Sequence, residues 1–155
     1  MKWKLSENVP HNARRLLPKL AEDYFKAGRK AADGKHSSKD LHRFRIATKR
    51  FRYALELFQP LYGPSLSRRL KALHALQDVL GKISDQQTIL DLLAGDREIS
   101  LKVNRALKRS SKDFRKQWRD FDCNGELKQW KVYLARGPAH PRQRRPQPAK
   151  NRMLK

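Results

Sequence analysis

Cysteine is nearly absent from this sequence. Cys123 is the only one, so the chain cannot form an intramolecular disulfide. The sequence has no CxxC pair and no paired cysteine and histidine ligands, which argues against a structural zinc site. We interpret Cys123 as an isolated thiol near the end of a helix, and we predict no metal site.

Long hydrophobic runs are also missing. The first residues, MKWKLSENVP, contain no apolar segment of the kind that a secretory signal requires. No later stretch approaches the roughly 20 apolar residues of a transmembrane helix. We therefore expect a cytoplasmic protein without a membrane span.

Motifs for catalysis are absent as well. The sequence has no GxxxxGK[ST] phosphate-binding loop and no cluster of acidic residues that could hold catalytic metal ions. No motif places a second carboxylate, a histidine or a nucleophile next to Asp85, as acid–base catalysis would require. We therefore interpret Asp85 as a residue that caps a helix or pairs with an arginine. These absences predict a protein that is not an enzyme, has no catalytic residue and needs no cofactor.

Acidic residues are scarce relative to basic ones. Asp and Glu number 15 against 37 Lys and Arg, which gives a net charge of +22. So many positive charges repel one another unless an anionic partner neutralises them. Nucleic acid, polyphosphate and an anionic membrane surface are all possible partners of this kind. The composition therefore predicts a polyanion as the partner.

Signals for β-structure are few, and helical periodicity dominates. β-Branched residues are uncommon, and no apolar run of period two lies between turn residues. The periodicity predicts four main helices, near residues 18–32, 39–59, 65–81 and 97–120, and a short helix that Ser84 and Asp85 cap and that runs to Leu93. Asn8 is a candidate cap for an earlier start, with Pro10 near the first turn, and Pro18 then permits a second start after a break. Short turns between long helices favour antiparallel neighbours, so we expect an all-α antiparallel bundle.

Residues 1–135 are predicted to form this single helical domain. From residue 136 the sequence contains four prolines, no acidic residue and almost no large apolar side chain. Such a segment cannot bury enough surface to order itself. Residues 136–155 are therefore predicted to be a disordered, basic, proline-rich tail.

The stretch from Leu41 to Phe58, LHRFRIATKRFRYALELF, contains neither glycine nor proline. Ser37 followed by Asp40 resembles a capping box, which starts a helix just before this stretch. At 100° per residue, four basic side chains fall within a sector of about 80° and form one continuous line along the helix. We call this line the basic row: His42, Arg45, Lys49 and Arg52.

Apolar residues flank the basic row on both sides. A solvated charged face usually lies opposite the core, whereas this arrangement favours a groove between packed helices with a positive floor. Cations in the first two turns also oppose the helix macrodipole unless an anion lies close by. The alternative interpretation is a basic amphipathic helix whose charges are simply solvated.

Other basic residues are candidates for secondary anion contacts. Three of them, Arg14, Arg15 and Lys19, lie near the start of the first helix. Arg69 lies on the third helix, beside a stripe of leucines (Leu66, Leu70, Leu73, Leu76 and Leu80). Lys102 and Arg109 lie at the edge of the basic side of the last long helix. The alternative for each is an ordinary exposed charge. His74 has no metal-ligand partner at i+4, so we interpret it as an ordinary exposed or capping residue.

The basic row is part of a longer pattern. The run His42-x-x-Arg45-x-x-x-Lys49-Arg50-x-Arg52-Tyr53 is followed by Leu76-Gln77-x-x-Leu80-Gly81-x-x-x-Asp85. Together these motifs resemble the CHAD family, the conserved-histidine α-helical domain, over residues 10–121. The chain has one such helix motif where the usual family domain has two, and Ser84 stands where one common family form has arginine.

The resemblance implies an all-helical module that binds inorganic polyphosphate and is not itself an enzyme. It also implies which residues bind the polymer: His42, Arg45, Lys49, Arg50 and Arg52. A cytoplasmic location in association with polyphosphate granules is a further expectation from this resemblance. Because the chain has one motif, we hypothesise a homodimer in which two basic rows face a shared anion path.

Two other functions compete with polyphosphate binding. A nucleic-acid-binding protein explains the charge equally well and the basic tail better. However, the sequence has no helix-turn-helix, zinc-finger or RRM signature, and the basic row has little aromatic interleaving for base stacking. A polyphosphate-processing enzyme would need the catalytic motifs that are missing. A bare phosphate polymer needs only a row of cations, so we prefer polyphosphate.

Overall fold

The computed structural model of the chain describes residues 3–34, 37–93, 95–123 and 125–136. Within these ranges the chain has no strand, and the predicted all-α bundle is confirmed. The helices are α1 (Val9–Ala32), α2 (Ser38–Leu57), α3 (Gln59–Tyr62), α4 (Pro64–Leu92), α5 (Arg97–Phe121) and α6 (Glu126–Arg136). The predicted tail lies outside the described residues except for Arg136, which ends α6.

α1 begins after the candidate cap Asn8, and it continues through Pro18 without the break that the sequence also permits. The side chain of Asn8 accepts a hydrogen bond from the His11 amide at 2.9 Å and so caps the helix. Pro18 then lies inside α1, where a proline removes one helical hydrogen bond and crowds the preceding turn. Burial of Leu17 and Ala21, on either side of the proline, offsets that cost.

The start of α2 is confirmed. Ser37 Oγ accepts a hydrogen bond from the Asp40 amide, and the Asp40 carboxylate accepts one from the Ser37 amide, so the two residues form a capping box. The turn after α2 contains the short helix α3, with Pro60 in its first turn. Gly63, with a φ of +68°, then leads into α4, and glycine adopts this conformation without strain.

α4 does not end at Gly81, so that prediction was wrong. The helix includes the segment that was predicted as a separate short helix capped by Ser84 and Asp85. A glycine inside a helix costs about 1 kcal/mol relative to alanine. Burial of Leu80 before Gly81 and of Ile83 after it offsets this cost and keeps the helix continuous.

α5 begins where predicted, whereas α6 was not predicted. Asp96 caps α5, since its carboxylate accepts a hydrogen bond from the Ile99 amide at 2.9 Å. α6 contains 11 residues, and two of its side chains, Trp130 and Leu134, are buried. So short a segment shows little periodicity, which is why the sequence pattern did not reveal it.

α2 lies between α1 and α4, and these three helices, joined by short connections, run antiparallel in turn. α5 packs along α4 and also contacts α1, while α6 packs along α1. Lys131 of α6 donates a hydrogen bond to Glu22 of α1 at 2.9 Å, which lowers the pKa of that carboxyl. One side of α2 therefore faces α1, and the other faces α4.

Aromatic side chains form the centre of the core. Tyr24 of α1 stacks on Phe44 and Phe51 of α2, with ring centroids 5.3 and 4.6 Å apart. Burial of the Tyr24 hydroxyl raises its pKa. Trp118 of α5 packs so closely on Gly28 of α1 that a Cβ there would lie 2.0 Å from Cη2 of the indole. α5 can approach α1 this closely because residue 28 has no side chain.

Gly28→Ala should destabilise the fold. The added methyl group would overlap the Trp118 indole, and overpacking of this kind costs about 1–3 kcal/mol. That cost exceeds the gain of up to about 1 kcal/mol from the higher helix propensity of alanine. Urea denaturation should therefore give a lower free energy of unfolding for the variant than for the parent protein.

Gly81→Ala is the matched control. Gly81 also lies inside a helix, but a Cβ there would meet nothing within 4 Å. This variant should be more stable than the parent by about 0.5–1 kcal/mol. If Gly28→Ala gained stability as the control does, Trp118 would not pack against α1 as described.

Candidate functional site

The basic row lies on the side of α2 that faces α4. The inner side of α2, with Phe44 and Phe51, is buried in the core, and this burial fixes the rotation of the helix. At one end of the row, Arg52 forms a hydrogen bond to Gln77 of α4. At the other end, His42 lines a cleft together with residues of α4. The row therefore follows the contact between the two helices.

Arg52 is held by neighbouring side chains. Its Nε donates to Oε1 of Gln77 at 2.9 Å, and one Nη donates to the carboxylate of Glu56. The same Nη lies 3.4 Å from Nε2 of His74, and the guanidinium lies over the Tyr53 ring, 4.4 Å from its centroid. Because the Arg52 side chain is 11% exposed, these contacts fix the direction in which it can donate.

Glu56 faces both an arginine and a histidine. Besides its contact with Arg52, its carboxylate lies 3.4 Å from Nε2 of His74. The partial burial of this cluster strengthens its electrostatic interactions relative to those between exposed groups. Glu56 therefore balances part of the positive charge at this end of the basic row.

The other end of the basic row opens onto a cleft of about 240 Å³ between α2 and α4. His42 lines it from α2, and Ser84, Gln87 and Thr88 line it from α4. Asp91 also lines it and accepts a hydrogen bond from Gln87 at 3.0 Å. The cleft thus offers polar groups from both helices, with one carboxylate among them.

Arg45 and Lys49 occupy the middle of the basic row. Neither makes a hydrogen bond or ion pair with another residue in the described ranges, and the Nε of Arg45 is buried without a partner. On α4, Gly81 lies between Gln77 and Ser84 on the face that carries both, and a Cβ there would meet nothing within 4 Å. Arg52 contacts Gln77 at one end of the row and His42 shares a cleft with Ser84 at the other, so this register puts Gly81 opposite the middle of the row, where its missing side chain leaves space open.

Arg50 does not lie on the basic row, although it follows Lys49 in the motif. One residue along a helix turns by about 100°, which places Arg50 on the side of α2 that faces α1. There it lines a cavity of about 410 Å³ together with Arg43, Ile46 and Asp23. The structure brings four of the five predicted binding residues together and separates Arg50 from them.

Two secondary candidates have partners elsewhere in the fold. Arg69 points towards α6, with its guanidinium carbon 5.3 Å from the ring centroid of Trp130 and 4.5 Å from that of Tyr133. Arg14 lies near Tyr62: burial raises the pKa of this tyrosine to about 12, and the arginine charge opposes the rise. Neither arginine reaches the contact between α2 and α4.

The remaining secondary candidates stand on helices that do not carry the basic row. Lys19 is exposed on α1 near Glu22, Lys102 of α5 pairs with Glu98, and Arg109 is exposed on the outer side of α5. As anion contacts these residues stay predictions.

Sequence reasoning missed the α4 side of the site. It treats His74 as an ordinary exposed or capping residue, whereas His74 contacts both Arg52 and Glu56. The available signal was a second row of polar or small residues, at spacings of three, four, three and four: His74, Gln77, Gly81, Ser84 and Thr88. We call this second row together with the basic row the α2–α4 seam.

Asp85 takes neither of the structural roles predicted for it. It lies within the continuous helix α4, so it caps no helix. It is exposed and makes no hydrogen bond or ion pair with another described residue, so it does not pair with an arginine of the basic row. The capping prediction failed because it assumed that a helix ends at Gly81.

Comparison with known families confirms the resemblance. The family model described as CHAD domain matches residues 2–94, more than half of the chain, and this range contains α1 to α4. α5 and α6 lie outside the matched range. Searches of curated proteins and of solved structures gave no match. Within the described ranges, no helix combines the length and apolar character needed to cross a membrane.

Glu56→Gln should destabilise the fold by about 1 kcal/mol, because a neutral amide cannot balance the charge of the partly buried Arg52. The loss should appear as a lower midpoint of urea denaturation. The control is Glu98→Gln, which removes an ion pair whose members are both exposed and should change stability by less than about 0.5 kcal/mol. Equal effects of the two substitutions would mean that Glu56 does not hold Arg52 in place.

Proposed function

Because the chain belongs to the CHAD domain family, we propose that it binds inorganic polyphosphate along the α2–α4 seam without catalysing a reaction on it. The family is associated with polyphosphate binding, and its domain is generally a binding domain. The observation that carries the proposal is the pair of cations with unused donors, Arg45 and Lys49, beside the open space at Gly81.

A phosphate polymer suits the shape of the basic row. The row extends over about 15 Å, at 1.5 Å per residue, along one side of a single helix. A linear polymer with a negative charge on every unit can contact successive members of such a row. It also carries no base that would need an aromatic platform for stacking. Polyphosphate is therefore the ligand that uses the row most fully.

Arg45 makes the main contact under this proposal. A guanidinium donates to two phosphate oxygens at once in a charge-assisted, bidentate pair, and the buried Nε of Arg45 has no protein partner to give up. Lys49 adds a point charge one helical turn further along. His42 adds a donor at the cleft, and its imidazole adds a positive charge when it is protonated.

Arg52 has a different role from Arg45, because two of its nitrogens already donate hydrogen bonds to other residues of the protein. Gln77 holds its Nε and Glu56 holds one Nη, so a phosphate must use the remaining nitrogen or displace Glu56. Displacement would leave the Glu56 carboxylate next to a polyanion, and like charges at close range repel. We therefore assign to Arg52 a contact through one nitrogen at the end of the polymer's path.

Other sequence predictions stay predictions. The motif includes Arg50, whose place on the α1 side makes it the informative residue to test. The homodimer is opposed by the net charge of +22 unless a polyanion neutralises it. The absence of catalysis, the cytoplasmic location and the association with polyphosphate granules likewise stay predictions.

Arg45→Ala combined with Arg52→Ala should remove most of the affinity for polyphosphate. Each lost charged hydrogen bond costs about 1.5–3 kcal/mol, which corresponds to about a tenfold loss or more. The loss should persist at high salt, because partly buried contacts are screened less than exposed ones. Titration of the full chain with polyphosphate at low and at high salt measures both effects.

The matched control is Arg43→Ala combined with Arg50→Ala. It removes the same charge from the same helix, but on the side that faces α1. It should weaken binding mainly at low salt, because it takes away diffuse attraction only. If it lost as much affinity at high salt as the first variant, the binding surface would include the α1 side of α2, and the seam would not be the site.

Gly81→Leu separates shape from charge. It fills the open space at Gly81, opposite the middle of the basic row, and leaves the net charge unchanged, so it should weaken polyphosphate binding in a chain that remains folded. This variant keeps the test valid if the loss of the partly buried Arg52 destabilises the fold. Unchanged affinity in a folded Gly81→Leu protein would count against a polymer path at this glycine.

A further inference from the structure

The outer side of α5 carries a dense set of cations. At 100° per residue, seven basic side chains fall within a sector of about 120° over four helical turns. All of them except the half-buried Arg115 are exposed. We call this set the α5 face: Arg105, Lys108, Arg109, Lys112, Arg115, Lys116 and Arg119.

The charges of the α5 face are not balanced within the fold. None of its seven members forms an ion pair or side-chain hydrogen bond with another residue of the described ranges. Two acids of α5, Asp113 and Asp120, lie beyond one edge of the sector. The ion pair at the start of the helix joins Lys102 to Glu98, outside the face. A continuous surface of one sign therefore remains.

This surface works against the stability of the helix that carries it. Like charges three or four residues apart on a helix repel each other, and the α5 face contains many such pairs, including Lys108 with Lys112 and Lys112 with Lys116. α5 is anchored from its other side by Phe114 and Trp118, which are 1% and 2% exposed. The fold thus holds repelling cations on a firmly packed support, and a polyanion would relieve the repulsion.

The α5 face is separate from the α2–α4 seam. α5 contacts α2 through Phe114 and Trp118, whose ring centroids lie 5.8 and 5.4 Å from that of Phe44. On the helical wheel both stand more than about 100° from the middle of the α5 face, which therefore points away from α2. α5 also lies outside the range that the family model matches.

A nucleic-acid duplex fits this surface. The α5 face is about 21 Å long, at 1.5 Å per residue, which equals the rise of about six base pairs. A helix of about 10–12 Å diameter also matches the width of the major groove of B-DNA. The aromatic residues Phe114 and Trp118 are buried on the other side of α5, so the face offers no platform on which single-stranded bases could stack.

We propose that the α5 face binds the phosphate backbone of a nucleic-acid duplex, independently of base sequence and of polyphosphate binding at the seam. Lysines and arginines on a convex helix contact phosphates on both sides of a groove, and such contacts position a protein without reading bases. The inference does not rest on the function proposed for the seam, because the two surfaces share no residue.

The test compares two variants of the full chain on a short DNA duplex of mixed sequence. The first replaces Arg105, Lys108, Lys112 and Lys116 by Gln. The control replaces four exposed cations of α1, α4 and α6 by Gln: Lys26, Lys30, Lys71 and Lys128. Both variants lose four positive charges and keep the basic C-terminal sequence. A difference in duplex affinity between them therefore depends on where the removed charges lie.

The α5 variant should bind the duplex roughly tenfold or more weakly than the control variant. The slope of log affinity against log salt concentration should be smaller in magnitude than that of the control variant by about three to four. The reason is that about 0.9 counterion is released per phosphate contact, and the α5 variant loses four such contacts. Its affinity for polyphosphate at high salt should equal that of the control variant. Gln is a good helix former, so circular dichroism should show unchanged helix content.

Three results would overturn the proposal. Equal losses of duplex binding in the two variants would show that the whole charge attracts the duplex and the α5 face does not. A single strand of the same sequence that binds as tightly as the duplex, and loses as much in the α5 variant, would exclude duplex recognition. A parallel loss of polyphosphate binding at high salt would show that the two surfaces form one site.

Discussion

The rotation of α2 about its own axis is the constraint on which the candidate site depends. Phe44 packs against the ring of Trp118 at 5.4 Å, and Phe51 packs against Trp130 at the same distance, so one side of α2 is fixed in an aromatic core. With that side buried, the basic row must face α4, and Arg50 must face α1. Packing in the core thus sorts the cations of α2 into two groups, although the cations take no part in that packing.

The continuity of α4 supplies the second half of the seam. Gln77, Gly81 and Ser84 share one face only because the helix passes through the glycine without a break. Gly81 weakens the helix, yet a side chain there would occupy the open space opposite the middle of the basic row. The same residue therefore costs stability and keeps the middle of the basic row open, as expected where function and local stability compete.

Features set by residues close in sequence were predictable, and features set by distant packing were not. The capping box of α2 at Ser37 and Asp40 was predicted because a capping side chain and its partner amide lie within one turn. The passage of α1 through Pro18, the passage of α4 through Gly81 and the existence of α6 depend on burial against other helices. The basic row followed from helical geometry, but the contact of Arg52 with Gln77 did not, since Gln77 is 25 residues away along the chain.

An NMR titration of the labelled protein with polyphosphate at high salt tests most directly whether the polymer contacts the basic row. The side-chain Nε–H signals of the arginines report each guanidinium separately. Binding along the seam predicts large shifts for Arg45 and Arg52 that saturate together, while the signals of Arg43 and Arg50 stay in place. Small shifts of similar size at the arginines of α1, α2 and α5 alike would contradict a site at the seam and would indicate diffuse attraction to the whole surface.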